Sequence, residues 1–207
     1  MLRLRYAALS MTDANRYQKP MNNLYLLGLP GSGKTTIGRR LAAHYGRAFR
    51  DLDADIVAAA GRTVPEIFAA EGEAGFRVRE AAALRAVAAR PGPPLVLATG
   101  GGTPCFHDNL DVLQATGFTV WLDVPAPELA RRLLRSATKR PLLTAAAAGE
   151  TPESALLARL HRTLADRERF YEQARLRCTG VATADTLVAA LAQAGFTPDL
   201  NLSEKAS

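Results

Sequence analysis

Residues 24–46 restrict the folds open to this chain more than any other stretch. Leu24, Tyr25, Leu26 and Leu27 form an unbroken apolar run, and Gly28 to Thr35 reads Gly-Leu-Pro-Gly-Ser-Gly-Lys-Thr. Ile37, Leu41 and Ala42 then recur at helical spacing, with Gly46 as a stop. A short apolar run without polar alternation predicts a strand buried on both faces of a parallel sheet. The middle segment meets the pattern G-x-x-x-x-G-K-[ST] at every fixed position, and its flanks are the strand and helix that the pattern requires. Gly28, Gly31 and Gly33 permit positive φ, so successive N–H groups can turn inward on a phosphate. A helix starting near Lys34 adds unpaired donors and the positive end of its dipole. Lys34 then reaches the β- and γ-phosphates of a nucleoside triphosphate, and the Thr35 hydroxyl ligates Mg²⁺. The alternative is a glycine-rich turn ahead of a core helix; the complete motif with both flanks weighs against it.

Length and composition narrow the rest. A chain of 207 residues, 48% apolar and 22% charged, suits one globular domain with a sizeable core. No segment approaches the ~20 consecutive apolar residues of a membrane-spanning helix. Cys105 and Cys178 are the only cysteines, so no disulfide scaffold is expected and a reducing cytoplasm is favoured. A net charge of +6 raises the question of nucleic acid. The arginines, however, are scattered over helical segments (Arg39, Arg40, Arg85, Arg131, Arg132, Arg159) without interleaved aromatics, the pattern of solvated helix faces. Surplus positive charge also suits a site that holds two anionic ligands.

Residues 1–20 lack periodicity. Their early arginines resemble a transit peptide, but there is no long apolar core and one early serine, so a disordered extension is expected, with Met11 and Met21 as further possible starts. Ala48 to Leu52 reads as a second strand ending in carboxylates, with Asp51 and Asp53 projecting to one side of extended backbone. They face either a ligand crevice or the start of the next helix as caps, and Asp55 reads as a cap or first-turn residue. Thr63 to Glu66 has capping-box spacing, and a longer helix is expected from Gly72-Glu73 to Ala89. Within it, Arg77 and Arg79 beside Glu80 read as a surface ion-pair group.

Leu95 to Ala98 is another buried-strand run, closed by Thr99-Gly100-Gly101-Gly102. Those glycines imply either close approach of backbone to a ligand or another segment, or a loose hinge. Phe118 to Val124 is the next strand, with Trp121 in the core rather than on a ligand. Pro127 to Arg135 is a basic helix, and Pro141 breaks the chain after Lys139 and Arg140 into an excursion suited to a lid, about residues 136–150. Pro152 to Ala174 is a long helix, Leu176 to Val181 a strand and Thr186 to Ala194 a last helix, with a disordered tail over 197–207. Alternating strands and helices predict an α/β domain over residues 21–196 with a five-stranded parallel sheet.

Taken together, six ordered motifs resemble the shikimate kinase family. They are Gly-Leu-Pro-Gly-Ser-Gly-Lys-Thr-Thr (28–36), Asp-Leu-Asp (51–53), Ile-Phe-Ala-Ala-Glu-Gly-Glu-Ala-Gly-Phe-Arg (67–77), Thr-Gly-Gly-Gly (99–102), Lys-Arg-Pro-Leu-Leu (139–143) and Arg-Glu-Arg-Phe-Tyr (167–171). The resemblance implies a P-loop kinase three-layer sandwich with a lid, and transfer of the ATP γ-phosphate to the 3-hydroxyl of shikimate in aromatic amino-acid biosynthesis. It implies that ATP lies along Gly31, Ser32, Gly33, Lys34, Thr35 and Thr36, with Arg140 closing over the phosphates. By the same resemblance Asp53, Arg77, Gly101 and Arg167 hold shikimate, the two arginines taking its carboxylate. Lys34, Asp53 and Arg140 are the implied catalytic residues; Mg²⁺ is held directly by Thr35 and through water by Asp51. A monomer without nucleic-acid or membrane partners is expected. The adenine-contacting arginine stays open among Arg131, Arg132 and Arg135, and the later adenine position falls near Ala184. The rival readings are a gluconate-kinase-like enzyme, a noncatalytic relative, and a nucleic-acid-binding P-loop protein.

Overall fold

The structure is a computed structural model that describes residues 3–6, 23–137 and 151–198. Arg140 and most of the expected lid lie outside the described residues, as do most of the first 20 residues and of the tail.

Among the described residues, six strands form one sheet: β1 (Arg3–Tyr6), β2 (Asn23–Leu27), β3 (Ala48–Asp51), β4 (Leu95–Ala98), β5 (Gly117–Asp123) and β6 (Leu176–Thr179), in the order β1-β6-β5-β2-β4-β3. The five strands from β2 to β6 run parallel, as expected. β1 is a difference from expectation: within the stretch read as a disordered extension, Arg3–Tyr6 pairs antiparallel with β6. Its residues alternate Arg-Leu-Arg-Tyr, a period-2 pattern too short to stand out in sequence, and pairing covers an edge that β6 would otherwise expose.

Side-chain alternation on the strands builds the layers. On β2, Leu24 and Leu26 enter one core with Val96, Val120 and helices α1 (Lys34–His44) and α7 (Ala184–Gln193). Tyr25 and Leu27 enter the opposite core with Leu97, Trp121 and helices α2 (Leu52–Ala60), α3 (Val64–Ala89) and α6 (Pro152–Tyr171). A strand buried on both faces needs no polar positions, hence the unbroken apolar runs. Helices α4 (Asn109–Thr116) and α5 (Ala126–Ala137) are the other α-helices among the described residues. Trp121 is fully in the core, at 1% exposure.

Because β2 lies between β4 and β5, the loop that follows it emerges where the strand order reverses. That is where an open α/β sheet forms its ligand crevice. The capping box at α3 forms as its spacing predicts, with Thr63 N–H donating to Glu66 Oε2 at 2.7 Å. Within α3, Gly72 breaks the helical geometry at φ 68°, which starts the second stretch where Gly72-Glu73 pointed.

Candidate active site

The phosphate loop adopts the conformation its glycines allow, with φ of 135°, 83° and 97° at Gly28, Gly31 and Gly33. Gly33 is the N-cap of α1, so the helix's free N–H groups open into the cleft just ahead of Lys34, Thr35 and Thr36. Ser32 is buried beneath the loop. The half-buried Lys34 ammonium folds back to donate to Gly28 O at 2.7 Å, Leu29 O at 3.0 Å and Ser32 Oγ at 3.4 Å. Loss of hydration pushes its pKa down to about 8, and Arg167 adds to this; Asp53 and Asp51 pull the other way.

The carboxylates at the end of β3 resolve the choice between crevice and cap. Of the two readings, extended strand or helix cap, the cap forms: β3 ends at Asp51 and Asp53 lies in the first turn of α2. The cause is local: Asp51 Oδ1 accepts the Asp53 N–H at 3.2 Å and so caps the helix. Its other oxygen accepts from Thr35 Oγ1 at 2.8 Å. Asp51 thus caps the helix and lines the cleft at once. Asp55 turns away to pair with Arg50 at 3.0 Å. Asp53 opens to the cleft, yet its pKa is raised, first by desolvation and then by the charges of Asp51 and Glu80, with Lys34 and Arg77 opposing.

The triple glycine brings the remaining candidates together. None of Gly100, Gly101 and Gly102 has positive φ, so the requirement is for space. A β-carbon on Gly100 would fall 2.7 Å from Glu80 Oε1 and 3.0 Å from Asp53 Oδ1. One on Gly101 would fall 3.1 Å from Arg167 Nη1, and one on Gly102 2.6 Å from Arg77 Nη2. The turn is thus a close-packed hub, not a hinge, touching in succession Asp53, Arg167 and Arg77. Each of these comes from a different helix, and no pattern within one helix shows their convergence.

Arg77 is no surface residue. Its Nη1 donates to Glu80 Oε2 at 2.9 Å, where Glu80 is 0% exposed, and Thr103 Oγ1 donates to the other Glu80 oxygen at 2.6 Å. Arg79 diverges to pair with Glu71 instead. Reading the three charges as one surface group missed this because residues two apart leave a helix in different directions. The i,i+3 spacing of Arg77 and Glu80 was the available signal. Tyr171 was missed as well. It lies one turn after Arg167, is fully buried against Trp121, and its hydroxyl donates to Gly101 O.

The cleft, about 760 Å³, runs from Asp53 and Gly101 past the phosphate loop to Arg132 and residues 182–184. Of the three arginines left open by sequence, Arg132 is the one that lines it, held by Glu128 at 2.6 Å and by Gly31 O at 3.2 Å. Arg131 and Arg135 are exposed. Ala182, Thr183 and Ala184 form the facing wall, which places the later expected position on the same cleft. Among the described residues, no helix is long and apolar enough to cross a membrane.

A parallel sheet with a phosphate loop at its switch point, a charged cleft and a carboxylate beyond the loop define a P-loop kinase for a small molecule. The family model for shikimate kinase matches residues 30–194. The chain is 46% identical over 153 residues to the shikimate kinase of Symbiobacterium thermophilum, covering 73% of this chain and 82% of that protein. It is similar to a solved shikimate kinase from Acinetobacter baumannii in complex with shikimate, with TM-score 0.69 and 37% identity over 83% of this chain and 90% of that one. A gluconokinase from Sinorhizobium meliloti 1021 aligns at TM-score 0.54 and 21% identity over 86% and 94% of the two chains; it shares the fold alone. The chain belongs to the shikimate kinase family, and it is an ATP-dependent kinase acting on shikimate.

Proposed function

We propose that this cleft transfers the γ-phosphoryl group of ATP to the 3-hydroxyl of shikimate, with the acceptor seated on the triple-glycine turn. The observation that carries the reading is the convergence of Asp53, Arg77 and Arg167 on Gly100–Gly102, next to the phosphate loop. Phosphoryl transfer needs alignment and neutralisation of charge more than covalent help. The loop N–H groups from Gly31 to Thr36 hold the ATP phosphates, and Lys34 swings from the loop carbonyls to the β- and γ-oxygens. Arg132 and the 182–184 wall take the adenosine end. Arg140 adds positive charge over the phosphates.

Planar guanidinium forks on Arg77 and Arg167 match the acceptor's carboxylate. Asp53 orients the acceptor hydroxyl, and its raised pKa suits it to take the proton as the bond to phosphorus forms. Mg²⁺ fits the donors present: the Thr35 hydroxyl and the Asp51 carboxylate, in contact at the loop, are hard oxygen ligands suited to an ion that keeps several waters. Thr35 would hold it directly and Asp51 through water; when bound, it neutralises the β- and γ-phosphate charge. The free cysteines, Cys105 and Cys178, support a reducing compartment such as the cytoplasm.

A coupled ADP-release assay with shikimate and gluconate side by side tests the reading, with phosphorus NMR of the product. Mg²⁺-dependent ADP release with shikimate alone, and phosphate on the 3-oxygen, is the expected result. Turnover with gluconate at a comparable kcat/KM would overturn the acceptor assignment. A second expectation concerns the hub. Tyr171→Phe keeps the ring against Trp121 but removes the donor to Gly101 O, so KM for shikimate should rise about three- to tenfold while KM for ATP holds. A rise in both constants would mean that Tyr171 supports only the general fold.

A further inference from the structure

We infer that Glu73 is an internal stand-in for the acceptor's carboxylate: it occupies the open edge of Arg77 and is displaced when shikimate binds. The inference deepens the proposed site and rests on Arg77 as a carboxylate-binding residue.

The Arg77 guanidinium is closely packed on most of its sides. Its Nη1 is committed to Glu80, whose side chain is 0% exposed and is itself fixed by Thr103. Its faces lie against aromatic rings, with Cζ 4.4 Å from the Phe106 centroid and 5.3 Å from that of Phe76. Gly102 presses so closely that a β-carbon there would fall 2.8 Å from Cζ. The remaining edge, Nε and Nη2, is where a planar carboxylate can dock with two parallel hydrogen bonds. Glu73 holds that edge.

Three features mark Glu73 as displaceable. Its side chain is 61% exposed, against 0% for Glu80, so a carboxylate released to water regains its hydration at little cost. A single oxygen, Oε1, takes both N–H groups, at 3.0 Å from Nη2 and 3.3 Å from Nε. That shared geometry is weaker than the two-oxygen fork an incoming carboxylate can form. Third, Glu73 directly follows the break in helical geometry at Gly72, φ 68°, so it stands at the start of a helical stretch and not inside a continuous one.

Glu71, two residues earlier, is the contrast. Its Oε1 takes Arg62 at 2.5 Å and Arg79 at 2.8 Å, while Oε2 takes Arg79 at 2.6 Å, clamping the two parts of α3 across Gly72. One glutamate ties the broken helix together; the other covers Arg77. Without Glu73, the Nε and Nη2 edge of Arg77 would lose its carboxylate partner while Nη1 kept Glu80. With it, the acceptor exchanges one carboxylate for another, and its affinity is measured net of the pair it breaks.

The test uses the full chain and steady-state kinetics with Glu73→Gln, which keeps the shape and removes the competing charge. KM for shikimate is expected to fall about two- to fivefold, the range an exposed ion pair supports, with KM for ATP unchanged. With shikimate methyl ester, which has no carboxylate to exchange, the variant and the parent should bind equally. Direct titration of shikimate in the absence of ATP should show the same tightening, independent of turnover. An unchanged or higher KM for shikimate in Glu73→Gln overturns the inference and makes Glu73 a residue that orients Arg77. Arg77→Lys separates the two levels. If it leaves KM for shikimate unchanged, the carboxylate assignment itself fails; if it raises KM while Glu73→Gln does nothing, only the stand-in role fails.

Discussion

Arg77→Ala is expected to cut kcat/KM for shikimate by at least about 100-fold, the cost of removing one partner from a desolvated charge pair. The same substitution should destabilise the fold by about 3–5 kcal/mol, because it strands a buried charge. That charge is Glu80, fully buried and left with Thr103 as its hydrogen-bond donor. The two losses have different origins and can be separated. Arg77→Met with Glu80→Gln removes the stranded charge and roughly restores the packed volume, so urea denaturation should show most of the stability returning. Shikimate binding should not return, since neither new side chain offers a cationic fork. If Arg77→Ala keeps both normal stability and a normal KM for shikimate, then neither the buried pair nor the acceptor site is as described.

Lys34→Ala should lower kcat by about 100- to 1,000-fold or more, the range for removing one preorganised charge at a developing anion. Its pH signature is more specific. The ammonium is held at about 8 in the free protein by loss of hydration. Below that pH Lys34 is charged and competent to bind phosphate; as pH rises through about 8 it loses its proton, so kcat/KM for ATP should fall on the alkaline side. Bound ATP brings negative charge beside the amine and holds the proton on, so the matching fall in kcat should come at higher pH. In Lys34→Arg the guanidinium stays protonated throughout, and whatever activity survives should lack that alkaline limb. A limb that persists there would assign the titration to another group.

The reach of sequence varies with the distance over which each feature is encoded. The phosphate loop was legible because its glycines, lysine and threonine act within a single strand-turn-helix unit. The capping box at Thr63 and Glu66 and the restart at Gly72-Glu73 are also local, each spanning one turn of helix. Asp51 and Asp53 are legible as cap or crevice residues, but which of the two geometries forms is not. A side-chain cap decides where β3 stops, and an alternating pattern in three residues does not show it. Arg3–Tyr6 was missed because four alternating residues become a strand only when an edge such as β6 is offered to them.

What the sequence by itself determined is the energy source and the order of the parts: a triphosphate cradle, then carboxylates, arginines and a glycine run, each at a strand or helix end. These depend on spacing, and spacing is written in the chain. Tertiary structure alone decided which side chains meet. It buried Arg77 against Glu80, sent Arg79 to Glu71, set Arg132 on the cleft, and set Tyr171 under Gly101. The physical reason is the parallel sheet, whose crossovers return each strand end to one edge. Helices far apart in sequence therefore converge on the turn at Gly100–Gly102, where the lack of three β-carbons lets Asp53, Arg167 and Arg77 close in.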